Sequence, residues 1–548
     1  MLLRIVYEEI NMPFTSFRFF FFLAAVIFFY YIVPKKYQWA VLLVSSYAFY
    51  LYSGIENLVF ILGTTLFTYL SALLMQSMRN KNQKKIDALG KDITVDQKRD
   101  LKKAVAKKIH TVQVLTVLVN IGVLASLKYL NLFIGTANDM FTLFRWDASI
   151  PFVNLIVPLG LSYYTFDSIG YLIDIGRGKY AAERHLGKFA LFVSFFPSIV
   201  QGPLNRFGDV GVQLKETHEL EYNNLKNGAL LILWGLFKKL VIADRVSAIA
   251  ATVFSASFAA SDYNGSQILF GVIAYSFQIY GDFSGGTDIT RGAAQMMGIN
   301  LPMNFERPFF STSLADFWRR WHMSLGAWMR EYVFYPVMLC KPVSGLSKKM
   351  RKKYGTYAGK LVPSVAAPLV VFFLMGIWHG ITSQYIFNGL YNALLISGSV
   401  ALIPVYNWLI KKLHINTETF SYKLFQMART TLLLFISRIV VKAPSFDDAF
   451  LMIKAMFTSV DFDFLFGFNG EIYTYGVNEK EMPVLIFSIL VLLVVGVLQE
   501  NGMKIRETLA KQNIFFRWFL VLLLIAFIFI FGIYGPDYNA SSFIYGNF

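Results

Sequence analysis

Long apolar stretches alternate with short polar or basic segments along the whole chain. The first three run from Ser16 to Val33, Trp39 to Leu51 and Leu58 to Met75. A charged segment over 79–108 follows, with Lys81, Lys84, Lys85, Lys98, Arg99, Lys102, Lys103, Lys107 and Lys108 against a few aspartates. Crossing the hydrocarbon core as a helix takes roughly 17 to 25 predominantly apolar residues. About eleven to thirteen such segments can be read here, some short enough to be re-entrant. The pattern predicts an all-α, polytopic membrane protein surrounded by membrane lipid. No internal repeat or low-complexity linker divides it, so 1–548 is expected to be one integral-membrane domain.

Composition agrees: 56% of the 548 residues are hydrophobic and 16% charged, which excludes a soluble globular protein. A net charge of +17 could suggest nucleic acid as a partner. Its basic residues instead concentrate in loops between spans, as the positive-inside rule expects, so no nucleic-acid partner is predicted. By that rule 79–108 is cytoplasmic. Three spans before it put the N-terminus outside, consistent with Glu8 and Glu9 before the first run and Lys35-Lys36 after it. The first run lacks a small-residue cleavage site and is expected to stay as a membrane helix. Lys348, Lys349, Arg351, Lys352 and Lys353 mark a second cytoplasmic loop. Lys504, Arg506, Lys511 and Arg517 mark a third, which leaves the C-terminal tail outside. The acidic, aromatic stretch 446–481 suits an extracytoplasmic loop. Cys340 stands alone, which excludes an intrachain disulfide, and it lacks the neighbours of a thiol nucleophile.

Within 311–335 the residues Leu314, Trp318, Trp321, His322, Leu325, Trp328 and Met329 fall on one face of a helix. Asp316, Arg319, Arg320, Arg330 and Glu331 fall on the other. This predicts an amphipathic helix at the membrane interface, with Ser311, Thr312 or Ser313 as N-cap and His322 pointing inward. A buried imidazole between tryptophans can simply pack, so His322 alone is an ambiguous signal.

His379 is a stronger one, because Phe372-Phe373-Leu374-Met375-Gly376-Ile377-Trp378-His379-Gly380 places it in a stretch apolar enough to cross the bilayer. Ionisable residues at that depth are costly and mark chemistry or transport. Gly376 and Gly380 form a small-x-x-x-small step that explains close helix packing and leaves the histidine unexplained. His110, His185, His218 and His414 lie near loop ends and read as ordinary interfacial residues. Asp167 and Asp174 interrupt the apolar run Val153 to Ile175. Tyr280-Gly281-Asp282-Phe283-Ser284-Gly285-Gly286-Thr287-Asp288 suits a broken or tightly packed helix beside a water-filled interior. Pairing of these acids with Arg291 or Arg320 is the alternative to substrate contact.

No metal-ligand spacing, Walker loop or nucleophile elbow is present. An imidazole titrating near neutrality is suited to deprotonating a hydroxyl as it attacks an activated acyl group, so acyl transfer by a general base is the natural candidate.

At this point Asp316-Phe317-Trp318-Arg319-Arg320-Trp321-His322-Met323-Ser324-Leu325, preceded by Asp282-Phe283-Ser284-Gly285 and Asn304-Phe305 and followed by Gly376-Ile377-Trp378-His379-Gly380, resembles the membrane-bound O-acyltransferase family. It looks closest to the bacterial branch that includes alginate O-acetyltransferase membrane subunits and, more distantly, teichoic-acid D-alanyl transfer proteins. Phe196-Pro197 through Gly202-Pro203 and Arg206, and Lys442 through Ala449, extend the likeness over most of the chain. Departures are Arg330-Glu331-Tyr332 where Arg-Asp-Tyr is expected, Gly281 for a usual cysteine, and Asp167 for an uncharged polar residue.

The resemblance implies a ring of helices around a central tunnel in a bacterial plasma membrane. It implies His379 as catalytic base and His322 as a second polar group orienting acceptor or acyl carbonyl. Trp318, Arg320, Asp282, Ser284, Asn304 and Trp378, within or beside the matching motifs, are the expected substrate contacts, and glycines near Gly285 are expected to shape the tunnel. It further implies a cytoplasmic acyl thioester, such as acetyl-CoA, as donor, with no resident cofactor or metal. The acceptor would be a surface or exported polysaccharide, and a separate extracytoplasmic SGNH-hydrolase-like partner would complete the transfer. D-alanyl transfer to teichoic acid from a carrier-protein thioester is the alternative within the class. A transporter or flippase is the alternative outside it, and should show paired broken helices in two related halves.

Overall fold

The computed structural model describes residues 12–90, 93–153, 157–255, 264–468 and 470–535, so Glu8, Glu9 and the C-terminal tail lie outside the described residues. The architecture is all-α. Among the described residues the one extended pairing is the isolated bridge between Phe305 and Trp321. The chain opens with α1 (Phe17–Ile32), α2 (Gln38–Tyr52), α3 (Ile55–Ala88) and α4 (Val95–Leu143), then α5 (Leu161–Arg177) and α6 (Leu186–Ser194). Next, α7 (Tyr222–Leu236) runs through a π-helical turn at Phe237–Ala243 into α8 (Asp244–Val253), which precedes the long α9 (Gly265–Met296). The short helices α10 (Leu314–Arg320), α11 (Met323–Met329) and α12 (Tyr335–Leu339) lead to α13 (Lys341–His379), α14 (Ser383–Ala401) and α15 (Ile403–Lys412). The last part holds α16 (Phe420–Lys442), α17 (Phe446–Thr458), α18 (Phe462–Leu465), α19 (Glu481–Glu500), α20 (Ile505–Ala510) and α21 (Ile514–Phe531).

Among the described residues, six helices are long and apolar enough to cross a bilayer: α3, α4, α13, α16, α19 and α21. The pair α14 and α15, bent by 57°, makes a seventh if taken as one span. Several other apolar runs form shorter helices. The first two runs form helices of only 16 and 15 residues. The run from Val153 contributes α5, which begins at Leu161. Each of these helices buries one face against protein: α1, α2, α3, α5 and α6 share one aromatic-rich core. The basic segment 79–108 continues α3 and begins α4, where Thr94 and Gln97 form a capping box. The stretch 446–481 differs from an open loop. Ser445 caps α17 by accepting from the Asp448 amide, and Ala449, Met452 and Met456 bury one face of that helix.

α9 is the central helix, and it is continuous rather than broken. Gly285 lies against the Gly235 carbonyl, and Gly292 against that of Gly228; a Cβ at either glycine would come within 2.8 Å or less of that oxygen. The four glycines let α7 and α9 touch backbone to backbone. Those near Gly285 thus close a helix pair.

Candidate active site

The predicted amphipathic helix over 311–335 is not one helix. Ser313 caps α10 by accepting from the Asp316 amide, and α10 ends at Arg320. His322 then adopts φ 47°, ψ 53°, a left-handed conformation that breaks the chain direction before α11. The break is held from outside. Glu306 N–H donates to the Arg320 carbonyl, and Met323 N–H donates to the Asn304 carbonyl, both at 2.9 Å. Sequence periodicity cannot register this, because burial of Leu314, Trp321, Leu325, Trp328 and Met329 persists on both sides of the break.

Asn304 Oδ1 accepts from Ser324 N–H at 3.1 Å and from Ser324 Oγ at 2.9 Å, and faces His322 Nδ1 at 3.1 Å. A backbone N–H can only donate, so this atom is the amide oxygen. His322 therefore carries its proton on Nδ1 and presents Nε2 as acceptor. Burial, and next the like charge of nearby His379, lowers the imidazole pKa to about 3, so the ring is neutral at physiological pH. Phe283 packs edge-on against it, with ring centroids 4.8 Å apart.

His379 ends α13. Its Nδ1 lies 2.8 Å from the Met375 carbonyl oxygen, which again fixes Nδ1 as the protonated nitrogen and Nε2 as acceptor. The end of α13 is braced from α4: Lys128 donates to the Trp378 carbonyl, and Tyr129 Oη donates to that of Ile377 at 2.7 Å. A cation at a helix C-terminus is favoured by the dipole. Gly376 meets α14 so closely that an added Cβ would sit 2.7 Å from the Tyr385 carbonyl oxygen. The packing expected of Gly376 is thus directed at Gly389 and Tyr385.

His379, Trp318, Trp321 and Tyr385 line a cavity of about 100 Å³, together with Asn388, Ser437 and Arg438. Trp318 is fixed there by its Nε1 donating to Asn392 Oδ1 at 3.0 Å. Arg438 is buried in α16, with Nη1 2.6 Å from Ser276 Oγ and its guanidinium over the Phe317 ring. Of the residues singled out from sequence, His379 and Trp318 line this cavity. Trp378 packs beside His379, with ring centroids 4.6 Å apart, and also contacts Phe166. His322 and Asn304 are not among the lining residues.

Arg320, Asp282 and Ser284 stand elsewhere, in ion-pair networks. Arg320 bonds the Glu500 carboxylate at 2.9 to 3.1 Å and Asp316 at 3.1 Å. Burial alone would raise the Asp316 carboxyl, but hydrogen bonds from Arg319, the Thr312 amide and Arg320 hold it below its ordinary range. Asp282 pairs with Lys239 at 2.6 Å, and Ser284 and Asp288 with Lys238 at 2.9 and 2.7 Å. The π-helical turn aims both lysines at α9. The acids of α9 are therefore paired, with Lys238 and Lys239 as well as Arg291 for partners. Sequence reasoning missed Arg438, Lys128, Lys238 and Lys239. Each is a cation in an apolar run, the same signal that identified His379.

A model of the MBOAT, membrane-bound O-acyltransferase family, matches residues 182–437, which include both histidines. The chain is 30% identical over 432 residues to the protein named "Probable alginate O-acetylase AlgI" of Pseudomonas syringae pv. tomato, covering 78% of this chain and 71% of that one. It is 29% identical over 328 residues to the peptidoglycan O-acetyltransferase of Helicobacter pylori, covering 54% of this chain and 58% of the relative. It is 34% identical over 248 residues to the teichoic acid D-alanyltransferase of Bacillus subtilis, covering 44% and 59%. The chain belongs to the membrane-bound O-acyltransferase family. It is a multi-pass membrane O-acyltransferase.

Proposed function

We propose that this protein transfers an acyl group, most simply acetyl, from a cytoplasmic thioester to hydroxyls of a surface or exported polysaccharide. The observation that carries the reading is His379: its Nδ1 is committed to Met375, and the ring borders a cavity walled by tryptophans and Arg438. In this mechanism His379 Nε2 takes the proton of the acceptor hydroxyl as its oxygen attacks the thioester carbonyl. The C–O bond forms and the C–S bond breaks, and the thiolate leaves with the proton returned by the imidazolium. His322, neutral and acceptor-ready, orients the acyl group or acceptor. The surrounding helices form a ring of eleven to thirteen membrane-embedded segments about a tunnel, with both termini outside a bacterial plasma membrane. Acetyl-CoA is the simplest donor, and an SGNH-hydrolase-like partner on the outer face completes transfer to the polymer.

The Bacillus subtilis relative favours a second reading, D-alanyl transfer to teichoic acid. Mild-alkali release of ester-linked acids from surface glycans separates the two, in cells lacking the protein and complemented with wild type or His379→Ala. Acetate restored by wild type alone supports O-acetylation. Alanine in the same pattern supports the second reading. Equal release from both complemented strains overturns catalysis by His379 and leaves transport as the better account.

A further inference from the structure

A base alone does not complete acyl transfer. Attack on a thioester also throws negative charge onto the carbonyl oxygen, and that charge is stabilised by donors held in place beforehand. The cavity at His379 measures about 100 Å³, the liquid volume of about three waters. Side chains that border so small a space meet at the same few atoms. Two of them, on different helices, carry N–H donors into it: Asn388 of α14 and Arg438 of α16.

A chain of bonds fixes which way the Asn388 amide points. The Trp318 indole N–H can only donate, so the Asn392 atom 3.0 Å from it is the oxygen. The nitrogen of Asn392 therefore lies on the other side, where it donates to the Asn388 backbone carbonyl at 2.9 Å. A carbonyl can only accept, which gives the same orientation independently. That nitrogen also donates to the Asn388 side chain at 3.0 Å, so the Asn388 atom it meets is Oδ1, and the Ser437 hydroxyl donates to the same oxygen. What remains of Asn388 is Nδ2, whose N–H groups make no hydrogen bond among the described residues.

Arg438 is held as firmly. The Ser276 hydroxyl gives its proton to the Val272 carbonyl at 2.6 Å, and so presents a lone pair to Arg438 Nη1, also at 2.6 Å. The guanidinium lies over the Phe317 ring, 5.9 Å from its centroid. Arginine keeps its charge wherever it is buried, and a cation placed within an apolar run is a mark of function.

Resting on the acyl-transfer reading above, we propose that Asn388 Nδ2 and the Arg438 guanidinium bind the carbonyl oxygen of the acyl group across the cavity from His379, and stabilise it as an oxyanion. The acceptor oxygen bonds to the carbonyl carbon while its proton passes to His379 Nε2. The carbonyl π pair moves onto the oxygen, where the two donors hold it. When that pair returns to re-form C=O, the C–S bond breaks and the thiolate takes the proton back from His379. The donors gain most at the charged stage, so they act on the rate of transfer rather than on donor affinity.

The test uses full-length protein in lipid nanodiscs, acetyl-CoA as donor and, as acceptor, polysaccharide from the producing cells stripped of its esters by mild alkali. Release of free thiol gives kcat and donor KM. Asn388→Asp keeps the oxygen that Ser437 and Asn392 address and puts an acceptor where Nδ2 donates, so kcat is expected to fall about 100-fold or more with donor KM within about two-fold of wild type. Arg438→Gln should behave likewise, and Arg438→Lys, which keeps the cation, should regain about ten-fold of the loss. Rates are expressed per folded molecule, from unfolding curves on the same preparations. If the two residues only clamp α14 to α16, kcat per folded molecule stays at the wild-type level, and that result overturns the assignment. So does a loss carried by donor KM alone, or Arg438→Lys no more active than Arg438→Gln. Wild-type thiol release matched by the variants spares the acyl-transfer reading and sinks only this inference, whereas no release by wild type overturns the thioester reading and takes the inference with it.

Discussion

Met375 and His379 are joined one helical turn apart, Nδ1 to carbonyl oxygen at 2.8 Å, so the residue proposed as base has its tautomer set by its own helix. General-base catalysis typically contributes about 100- to 10,000-fold. His379→Ala is expected to lower transfer by at least about 100-fold, with thermal unfolding in nanodiscs close to wild type because the ring borders a cavity. Substantial residual turnover in a folded His379→Ala protein would remove the base assignment.

Asn304 is the hub that holds His322. Its Oδ1 takes the Ser324 amide, the Ser324 hydroxyl and the His322 ring, and Asn304→Leu strips a partner from all three. Leaving a buried donor unsatisfied costs about 1–3 kcal/mol. The variant should unfold at lower temperature and lose activity, whereas Ser324→Ala, which spares the His322 contact, should keep most of its activity. Activity assays paired with unfolding curves for the two variants decide this.

His322 also predicts a pH dependence. Burial and the neighbouring charge of His379 lower its folded pKa to about 3, against an ordinary 6.5. Below pH 6.5 the unfolded chain takes up a proton that the folded protein refuses, so stability falls as pH drops and the contribution levels off above that value. Asparagine tolerates the left-handed φ of this position and does not titrate. Thermal unfolding at pH 7.5 and pH 5 should therefore show a smaller acid loss for His322→Asn than for wild type.

Part of the candidate site is legible in the sequence, for one physical reason: hydrocarbon makes an ionisable group conspicuous. His379 stood out on that ground, and so did the acids of α9. What periodicity could not show was the break at His322, because the apolar face continues through it and only Asn304 and Glu306, distant in sequence, impose it. Nor could it separate the longest runs from helices such as α1 and α2, which bury one face in the protein core and leave apolar residues exposed on the other. Arg438 and Asn388 reach the cavity only through the fold, although a buried arginine within α16 was a signal available in the sequence.

Glycines in α14 offer a paired contrast. A Cβ on Gly389 would lie 2.4 Å from the Phe372 carbonyl oxygen, so Gly389→Ala must push α14 away from α13 and disturb the end that carries His379. Overpacking of this kind costs about 1–3 kcal/mol. Gly398, in the same helix, has nothing within 4 Å of its Cβ position, and alanine there removes backbone entropy from the unfolded chain. Gly389→Ala should lower both unfolding temperature and activity, and Gly398→Ala should leave activity intact and stability equal or higher. Matching behaviour of the two would mean that close approach at Gly389 is not what positions α13.

The ion pair of Lys239 and Asp282 separates structure from substrate contact. Lys239 is buried between Asp282 at 2.6 Å and Asp244 at 2.8 Å, on the π-helical turn that faces α9. Removing one member of a buried pair strands the remaining charge and typically costs about 3–5 kcal/mol. Lys239→Met should therefore accumulate poorly, because two carboxylates lose their common cation at once. Adding Asp282→Leu to it removes one of those stranded charges and should recover part of the folded yield. Asp282→Asn alone should lower the unfolding temperature while leaving KM for the acyl donor unchanged in the fraction that folds. A raised donor KM at wild-type stability would instead place Asp282 against the substrate, so yield, unfolding temperature and KM measured on the same preparations distinguish the two roles.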